Sequence, residues 1–491
     1  MFQRSFTSKT YLYLIVFSAV LLFIFLRTYK ISDSLFFQND IGRDYLYLIE
    51  WQQSGKPPLL GPQNSALPFN QSAFYFYLLF PVFILSNGWF LSSHLTSLIF
   101  HVVIFVAGSL YLYKSQQKKF WWIFFIVFLL GAIHPQLVAQ HRYIWNPSFV
   151  WLSVVVATLS FYQLFTKFSS KWLWLFAISI TFAIAMSVSA SPALLAFLVL
   201  AVLMLRKNLL KIIGVIFLTG NFWFLPYWFF ELRYDFQIIK RVFSRKVLVM
   251  DPSRLTLEYK LESLVKYLLD IKLPWYLVII CFGLMLVLAL MFLRKRFWKN
   301  NNLTLSELSF WLLLITTAIS LIFPVTIEAH YIFSFLAFFH LIIADVLISA
   351  KKRQRKILLF VLLAISIWWL RPKKFQSYIK PAPRSYGQIE RCFQLVCSQI
   401  QEPVFVSVQS KHYRYHTGPE FRYMALRHGC QMRYVEKDSA TAELMMVVAD
   451  QSDYVHGETQ YDELTLFGEA SEEKVIKCEN GIKIHLLRKQ Q

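Results

Sequence analysis

The residues best suited to chemistry stand close together after the first long apolar segment. Asp40, Arg43 and Asp44 place three charged groups within five positions. Residues three and four apart are neighbours on a helix, so a helix with Asp40 as its N-cap, running to about Trp51, would gather them with Tyr47 on one face. A positioned carboxylate can serve as a general base, and a guanidinium can bind phosphate through two parallel hydrogen bonds.

The other face of this helix would be apolar, with Ile41, Tyr45, Leu48 and Ile49. An amphipathic helix of this kind rests at a membrane interface while its charged cluster faces a polar cavity. An ordinary solvated helix start with a local Asp–Arg pair has the same spacing. The choice between these two interpretations depends on the surrounding elements.

The composition places these residues in a membrane protein. The chain has 491 residues, of which 57% are hydrophobic, and its mean hydropathy is +0.47. Residues 1–374 hold 36 Lys and Arg against 13 Asp and Glu, whereas residues 375–491 hold 14 against 15. The excess of positive over negative charge is confined to the apolar part, where basic loops set the topology. Nucleic-acid binding is therefore not needed to explain it.

Apolar segments long enough to cross a membrane recur along the first three quarters of the chain. We predict an α-helical polytopic protein with about eleven full crossings, at 10–29, 92–113, 120–134, 148–166, 172–189, 191–205, 212–230, 274–293, 306–323, 330–349 and 357–370. The stretch 73–91 is shorter and is interrupted by Pro81 and by residues 86–88. That pattern is typical of a partial segment, either re-entrant or interfacial.

The basic clusters of the chain fall at every second connection between these segments. The positive-inside rule puts the clusters in the cytoplasm, so loop 231–273 and the C-terminal part are expected outside it. Loop 30–72 is then outside as well, provided that the stretch 73–91 does not cross the membrane completely. From about residue 376 the apolar runs shorten to strand length, which predicts a small extracytoplasmic α/β domain over 375–491 after a membrane domain over 1–374. Four of the five Cys lie in that last part, where disulfides can form in any of three pairings.

The outer loop 231–273 is itself basic. Arg241 and Arg245 stand in a cationic run that can hold an anionic lipid headgroup. A solvated loop attracted to the membrane surface has the same composition. A second interfacial helix is predicted after the run, because apolar residues at 257, 261, 264 and 268 recur at helical spacing.

Several short motifs resemble those of the GT-C superfamily of integral-membrane glycosyltransferases. The similarity is strongest to the branch that contains protein O-mannosyltransferases and lipid A aminoarabinose transferases. Asp40 and Arg43 match the acidic motif that follows the first membrane helix in that branch. Further similar segments are 54–62, 74–79 and 141–147. The chain departs from the branch at Ile41, Gln71 and Asn146, where many members have Glu, Lys and Asp.

The resemblance implies an enzyme that takes a sugar from a polyprenyl phosphate and transfers it, with inversion, to an acceptor outside the cytoplasm. Asp40 would then be the general base, and Arg43 would bind the leaving phosphate. Arg241 and Arg245 are further candidates for binding that phosphate. Neither a cofactor nor a metal is expected, because Arg43 lies between Asp40 and Asp44 and would repel a dication. A monophosphate donor is therefore favoured over a pyrophosphate donor.

The candidates for substrate positioning are Asp44, Arg142, Asn146, Glu328 and His330. Asp44 can instead orient Arg43, which is the simpler role for a second carboxylate on one helix face. Arg142 can equally form a salt bridge that holds two outer loops together. A lone His at a helix end, such as His330, is more often a structural residue than a functional one.

Two other functions fit parts of the sequence. One is a transporter or flippase of a lipid-linked glycan, but its usual internal repeats and charges buried within helices are not evident. The other is a membrane-anchored assembly protein that acts through its C-terminal domain, whose sequence carries no phosphate loop, nucleophile elbow or metal pair. The glycosyltransferase is favoured, with a polyprenyl-phosphate sugar and membrane lipid as its partners.

Overall fold

The protein folds into two compact units. Unit 1 contains Met1–Thr28, Pro58–Leu79 and Ser93–Lys374, and unit 2 contains Tyr29–Pro57, Phe80–Ser92 and Phe375–Gln491. The computed structural model describes residues 8–63, 69–89, 91–143, 145–244, 256–278, 280, 283–284, 287, 303–323, 326–382, 384–410, 418–433, 443–450, 462–478 and 481–490. Most of the helix predicted over 274–293 lies outside these residues.

Helices account for most of the chain up to residue 374. In chain order they are α1 (Ser8–Thr28), α2 (Ile31–Ser34), α3 (Asn39–Ser54), α4 (Phe74–Leu85), α5 (Ser92–Lys114), α6 (Lys118–Ile133), α7 (Pro135–Arg142), α8 (Val150–Thr166), α9 (Ser170–Met186), α10 (Ser191–Met204), α11 (Leu209–Trp223), α12 (Leu225–Arg233), α13 (Gln237–Ser244), α14 (Leu257–Leu269), α15 (Leu305–Ile322), α16 (Phe333–Ser349) and α17 (Lys352–Trp369). Short 3-10 turns precede α8, α10 and α11.

Some of these helices are suited to a membrane by length and composition. Within the described residues, three stretches are long and apolar enough to span one: Ser92–Lys114, Asn146–Thr166 and Leu305–Ile322. Two bent pairs, α6 with α7 and the 188–204 stretch with 206–223, would raise that number to five. The helix predicted over 212–230 is interrupted at Phe224. Pro226 follows there and has no N–H for the helical ladder.

A buried arginine joins three helices inside unit 1. Arg27 of α1 is fully buried, and its two terminal nitrogens donate to Ala132 O and Gly131 O at 3.0 and 2.9 Å. These carbonyls belong to the last turn of α6 and have no partner within the helix. Arg27 Nε donates to His141 Nδ1 of α7 at 3.1 Å. The guanidinium thus provides hydrogen bonds for the last carbonyls of α6 and places a positive charge at the negative end of the helix dipole.

The C-terminal residues of unit 2 form an α/β structure, as predicted. Its elements are α18 (Pro372–Ile379), α19 (Tyr386–Cys397), β1 (Val404–Ser410), α20 (Pro419–Arg427), β2 (Met432–Arg433), β3 (Leu444–Asp450), α21 (Asp462–Phe467), β4 (Ala470–Lys477) and β5 (Lys483–Lys489). The strand order is β2-β1-β3-β5-β4. The β1 strand is parallel to β2 and β3, whereas β5 is antiparallel to β3 and β4.

Two disulfides join elements of this structure. Cys392 pairs with Cys478, and Cys397 pairs with Cys430. This is one of the three pairings that the sequence left open. Because Cys392 and Cys397 both lie on α19, the two bonds connect that helix to the end of β4 and to the residue that follows α20 and its turn.

Helix α3 differs from its prediction in two respects. Its N-cap is Gln38, so Asp40 is the second residue of the helix and the prediction of Asp40 as the N-cap is wrong. A carboxylate at that position is still stabilised by the positive end of the helix dipole. Ile41, Tyr45 and Leu48 are at most 1% exposed. Ile49, the fourth residue of the predicted apolar face, is half-buried. Protein therefore covers most of that face, and its interpretation as a membrane-contacting surface is wrong for the three buried residues.

The cover over α3 includes the first turn of α20. A Cβ atom built on Gly42 would collide with the main chain of Pro419 and Glu420. Only glycine leaves room for this approach, because backbone cannot move aside as a flexible side chain does. The close contact lies directly beside Arg43 in the sequence.

We therefore expect Gly42→Ala to destabilise unit 2. The added methyl group should cost about 1–3 kcal/mol, the usual range for overpacking. The control is Gly214→Ala on α11, where nothing lies within 4 Å of the new Cβ. Thermal unfolding of the purified variants in detergent measures both effects. Equal melting temperatures for Gly42→Ala and the wild type would contradict the contact.

Candidate active site

Arg43 joins two carboxylates on α3. Its Nε and Nη2 donate to Oδ1 of Asp44 at 3.0 and 2.8 Å, and its Nη1 donates to Oδ1 of Asp40 at 2.9 Å. The three charged groups predicted to share one face of the helix are therefore in contact. Because a guanidinium is planar and holds its donors in a fixed fork, these bonds also fix its direction.

The two carboxylates differ in exposure. The Asp40 side chain is 54% exposed and the Asp44 side chain is 5% exposed. Burial raises the pKa of Asp44 to about 6, although the charge of Arg43 acts in the opposite direction. Burial also opposes the charge of Arg43, but the carboxylates of Asp44 and Asp40 outweigh it and raise the pKa of Arg43 above its usual value. The cluster thus has a buried end that holds the cation and an exposed end that can meet a substrate.

The cluster leaves hydrogen-bonding groups for a ligand. A guanidinium carries five N–H donors, and among the described residues Arg43 uses one donor on each of its three nitrogens. One hydrogen on Nη1 and one on Nη2 are left. Hydrogens of this kind can donate to the oxygens of a phosphate. Beside them, Asp40 offers its second carboxylate oxygen as a proton acceptor.

The chain that enters α3 is held by residues near the start of α19. Two main-chain hydrogen bonds of 3.1 Å, from Phe37 N to Arg384 O and from Tyr386 N to Leu35 O, form an antiparallel bridge between Phe36 and Ser385. A third, from Ala382 N to Asp33 O at 3.0 Å, joins the same two segments. Arg384 Nε also donates back to Phe37 O at 3.0 Å. Phe37 stands two residues before α3, so this pairing fixes the point at which the helix begins.

Arg384 also forms an ion pair with Glu420, in the first turn of α20. Both side chains are buried, at 1% and 0% exposure. The sequence analysis missed both residues. They are 36 positions apart and follow no short motif, so only the tertiary fold brings them together.

Tyr45 holds the apolar side of α3. Its ring packs against Phe83 and Tyr423, at centroid distances of 5.8 and 5.0 Å. The Tyr423 hydroxyl donates to Gly88 O at 2.7 Å, and Arg427 Nη1 donates to the same carbonyl at 2.6 Å. Helix α20 therefore contacts both α3 and the turn that interrupts the 73–91 stretch.

Two of the predicted positioning residues are buried in unit 1. Arg142 Nη1 donates to Leu26 O at 3.2 Å. The Asn146 amide donates to Met186 O, in the last turn of α9, where carbonyls lack partners within the helix. Asn146 thus makes a structural contact at the position where many members of the resembled branch have an Asp.

Glu328 and His330 lie in the turn before α16, which begins three residues later than predicted, at Phe333. The His330 ring lies 4.5 Å from the Trp145 ring. Burial lowers the pKa of His330 to about 4, so its imidazole is neutral near pH 7. The loop that carries Asn146 and the loop that carries His330 therefore meet within unit 1.

The structure describes only part of the basic outer loop 231–273. Arg241 is exposed on α13, and Arg245 lies outside the described residues. The helix predicted after the run is present as α14, which begins at a Thr256 N-cap whose side chain accepts a hydrogen bond from Tyr259 N. Of the four apolar positions that predicted this helix, Leu261 and Leu264 are buried, Leu268 is half-buried and Leu257 is exposed.

Comparison with known proteins gives a match to solved structures. No protein-family model and no curated protein matches the chain. Crystal structures of ArnT from Cupriavidus metallidurans, one bound to undecaprenyl phosphate and one in the apo state, are similar with TM-scores of 0.59 and 0.57. Each is 12% identical, over 98% of this chain and 98% of that chain. ArnT is a lipid A aminoarabinose transferase with a GT-C fold. This chain has a GT-C fold.

The GT-C fold confirms the predicted architecture in its coarse form. The chain is largely helical, has helices apolar enough to span a membrane and ends in a small sheet. Because the identity is 12%, the likeness is one of fold. The roles of Asp40, Arg43 and Asp44 rest on their geometry in this protein.

We expect Asp44 to titrate near pH 6. Its carboxyl is neutral below that pH, because burial favours the uncharged form, and it becomes a carboxylate as the pH rises. Infrared spectra should therefore show a protonated carboxyl band that disappears between about pH 5 and 7 and is missing in Asp44→Asn. In Arg43→Met the same band should persist to higher pH, because the stabilising cation is gone. A band that titrates near pH 4 in the wild type would contradict the assigned burial.

Proposed function

We propose that the protein is an inverting glycosyltransferase that moves a sugar from a polyprenyl-phosphate donor to an acceptor outside the cytoplasm. One observation carries this proposal: Arg43 bridges an exposed carboxylate, Asp40, and a buried one, Asp44, on one helix of a GT-C fold. The ArnT structure bound to undecaprenyl phosphate supports a lipid phosphate as the donor's carrier. Sugars of the hexose or pentose class fit this chemistry equally.

In the proposed reaction Asp40 is the general base. The acceptor hydroxyl is a weak nucleophile, so Asp40 takes its proton as the oxygen attacks the anomeric carbon of the sugar. The bond from that carbon to the phosphate oxygen breaks on the opposite face, and its electron pair stays on the phosphate. Attack and departure on opposite faces invert the anomeric configuration. A carboxylate beside the sugar also stabilises the positive charge that develops on it.

Arg43 stabilises the leaving group. Its two remaining terminal hydrogens can bind two oxygens of the departing phosphate, whose negative charge grows as the bond breaks. Asp44 keeps the guanidinium in place through Nε and Nη2. No metal ion is needed for this step, because Arg43 already neutralises the phosphate and stands between the two carboxylates that could otherwise hold a cation.

The remaining predicted residues keep supporting roles in this proposal. Arg241 and Arg245 bind the donor phosphate as it approaches from the membrane surface. Arg142, Asn146, Glu328 and His330 remain candidates for substrate positioning. A neutral imidazole suits His330 to hydrogen bonding rather than to charge stabilisation.

The proposed topology has about eleven crossings and an extracytoplasmic C-terminal part. The disulfides Cys392–Cys478 and Cys397–Cys430 support that side, because disulfides persist in oxidising compartments and are rare in the cytoplasm. The alternation of basic clusters along the chain supports it independently. The acceptor would therefore meet Asp40 outside the cytoplasm.

Replacement of the proposed base tests the reaction directly. We expect Asp40→Asn to lower the transfer rate at least about 10²-fold, because an amide cannot accept the acceptor's proton. Glu50→Gln is the matched control, since Glu50 is another exposed acid on α3. The measurement is the release of polyprenyl phosphate from a radiolabelled donor, with melting temperatures to establish that each variant is folded. Wild-type turnover in folded Asp40→Asn would remove Asp40 from the mechanism.

Two substitutions at Arg43 separate its charge from its shape. We expect Arg43→Ala to lose more activity than Arg43→Lys, which keeps a positive charge but lacks the planar fork. Because Arg43 acts on the leaving group, kcat should fall more than the KM for the donor rises. Steady-state kinetics with a purified polyprenyl-phosphate sugar gives both constants. If both variants keep wild-type kinetics, Arg43 is structural only.

A further inference from the structure

The buried ion pair between Arg384 and Glu420 lies where three segments of unit 2 meet. Arg384 Nη2 bonds Glu420, and Arg384 Nε donates to Phe37 O at 3.0 Å. One rigid guanidinium therefore fixes the distance between the start of α20 and the chain that enters α3. With both side chains at 1% exposure or less, water does not compete for these bonds.

The same turn of α20 contacts α3 a second time. Gly42 packs against the main chain of Glu420, so closely that no Cβ fits between them. This contact lies one residue from Arg43 and two residues from both Asp40 and Asp44. Glu420 thus touches α3 through its backbone and, through Arg384, is linked to Phe37, two residues before the helix.

The two contacts constrain the position of the cluster. The link at Phe37 sets where α3 begins, and the contact at Gly42 sets the rotation and depth of its first turns. A helix fixed at both points presents Asp40 and Arg43 at one place in unit 2. The ring contact between Tyr45 and Tyr423 adds a third point on the same two helices.

We infer that Arg384 and Glu420 are positioning residues for the transfer reaction, so that the C-terminal part of the chain belongs to the catalytic apparatus. This inference rests on the proposed function of Asp40 and Arg43. Neither positioning residue touches the substrate. They act by holding α3, and a displacement of a reacting group by about 1 Å can lower a rate by about 10²-fold.

The test replaces the ion pair without leaving a buried charge. A single substitution would strand one charge in the interior and could unfold unit 2, whereas an apolar pair of similar volume is often neutral for stability. The test protein is therefore the full chain with Arg384→Met and Glu420→Met. Its side chains fill the space but cannot bond Phe37 O.

A second ion pair on α20 provides the matched control. Arg422 donates to Val406 O of β1 and pairs with Glu463 of α21, at 10% and 7% side-chain exposure. Arg422→Met with Glu463→Met also removes one buried positive and one buried negative charge, but from the contacts of α20 with α21 and the sheet. The melting temperature then shows whether both double variants retain a folded unit 2.

Two measurements read out the position of α3. Hydrogen–deuterium exchange of peptides that cover 39–54 reports on the helix without any assay of activity. Steady-state kinetics with a polyprenyl-phosphate sugar reports on the reaction. For the Arg384 and Glu420 double variant we expect faster exchange in α3 and a kcat at least about 10-fold lower, with little change in the KM for the donor. The control double variant should keep wild-type values of both.

The outcomes separate the inference from the proposed function. Wild-type exchange in α3 and wild-type kcat in the folded Arg384 and Glu420 double variant would overturn the inference. Equal losses of kcat in the test and control variants would also overturn it, because they would reflect general damage to the C-terminal part. Suppose instead that the wild-type protein does not consume the donor, while hydrogen–deuterium exchange in α3 is faster in the Arg384 and Glu420 double variant than in the control. The proposed function would then be wrong, but the two residues would still be shown to fix the position of α3.

Discussion

The contact between Gly42 of α3 and the first turn of α20 is the constraint on which the candidate site depends. It allows two main chains to approach without a side chain between them. The approach buries the apolar face of α3, leaves Asp40 exposed and places Asp44 in the interior. The difference in solvation between these two carboxylates then separates their roles. The buried one holds the cation, and the exposed one is left to accept a proton.

Local spacing was sufficient to predict part of the cluster. Residues three apart meet on any helix, so the contact of Arg43 with Asp40 followed once α3 was recognised. The contact of Arg43 with Asp44, its neighbour in the sequence, does not follow from helical spacing. The strands β1, β3 and β5 were recognisable as short apolar runs, because the parallel and central part of the sheet is buried. The edge strand β4 was missed. Residues 471–475 of that strand are exposed and include the charged Glu472, Glu473 and Lys474, so the strand has no apolar run to identify it.

The remaining features depend on tertiary structure and left no local signal. Asp40 suits an N-cap by residue type, but the chain held at Phe37 places the cap at Gln38. A helix face has the same apolar pattern whether it packs against protein or against lipid, so the apolar face of α3 resembled a lipid-facing surface. No local pattern distinguishes Arg384 and Glu420 from the other charged residues of the C-terminal part. Their importance appears only once segment 382–386 pairs with segment 33–37.

In the proposed reaction a polyprenyl-phosphate sugar is the donor, and its sugar is transferred with inversion. The most direct measurement incubates the purified protein with donors labelled in the sugar and in the lipid, together with a membrane extract that supplies acceptors. Product analysis then follows both labels and the anomeric configuration by NMR. We expect free polyprenyl monophosphate and a transferred sugar of opposite anomeric configuration, above a blank without the protein. Intact donor, or a product with retained configuration, would contradict the proposed reaction.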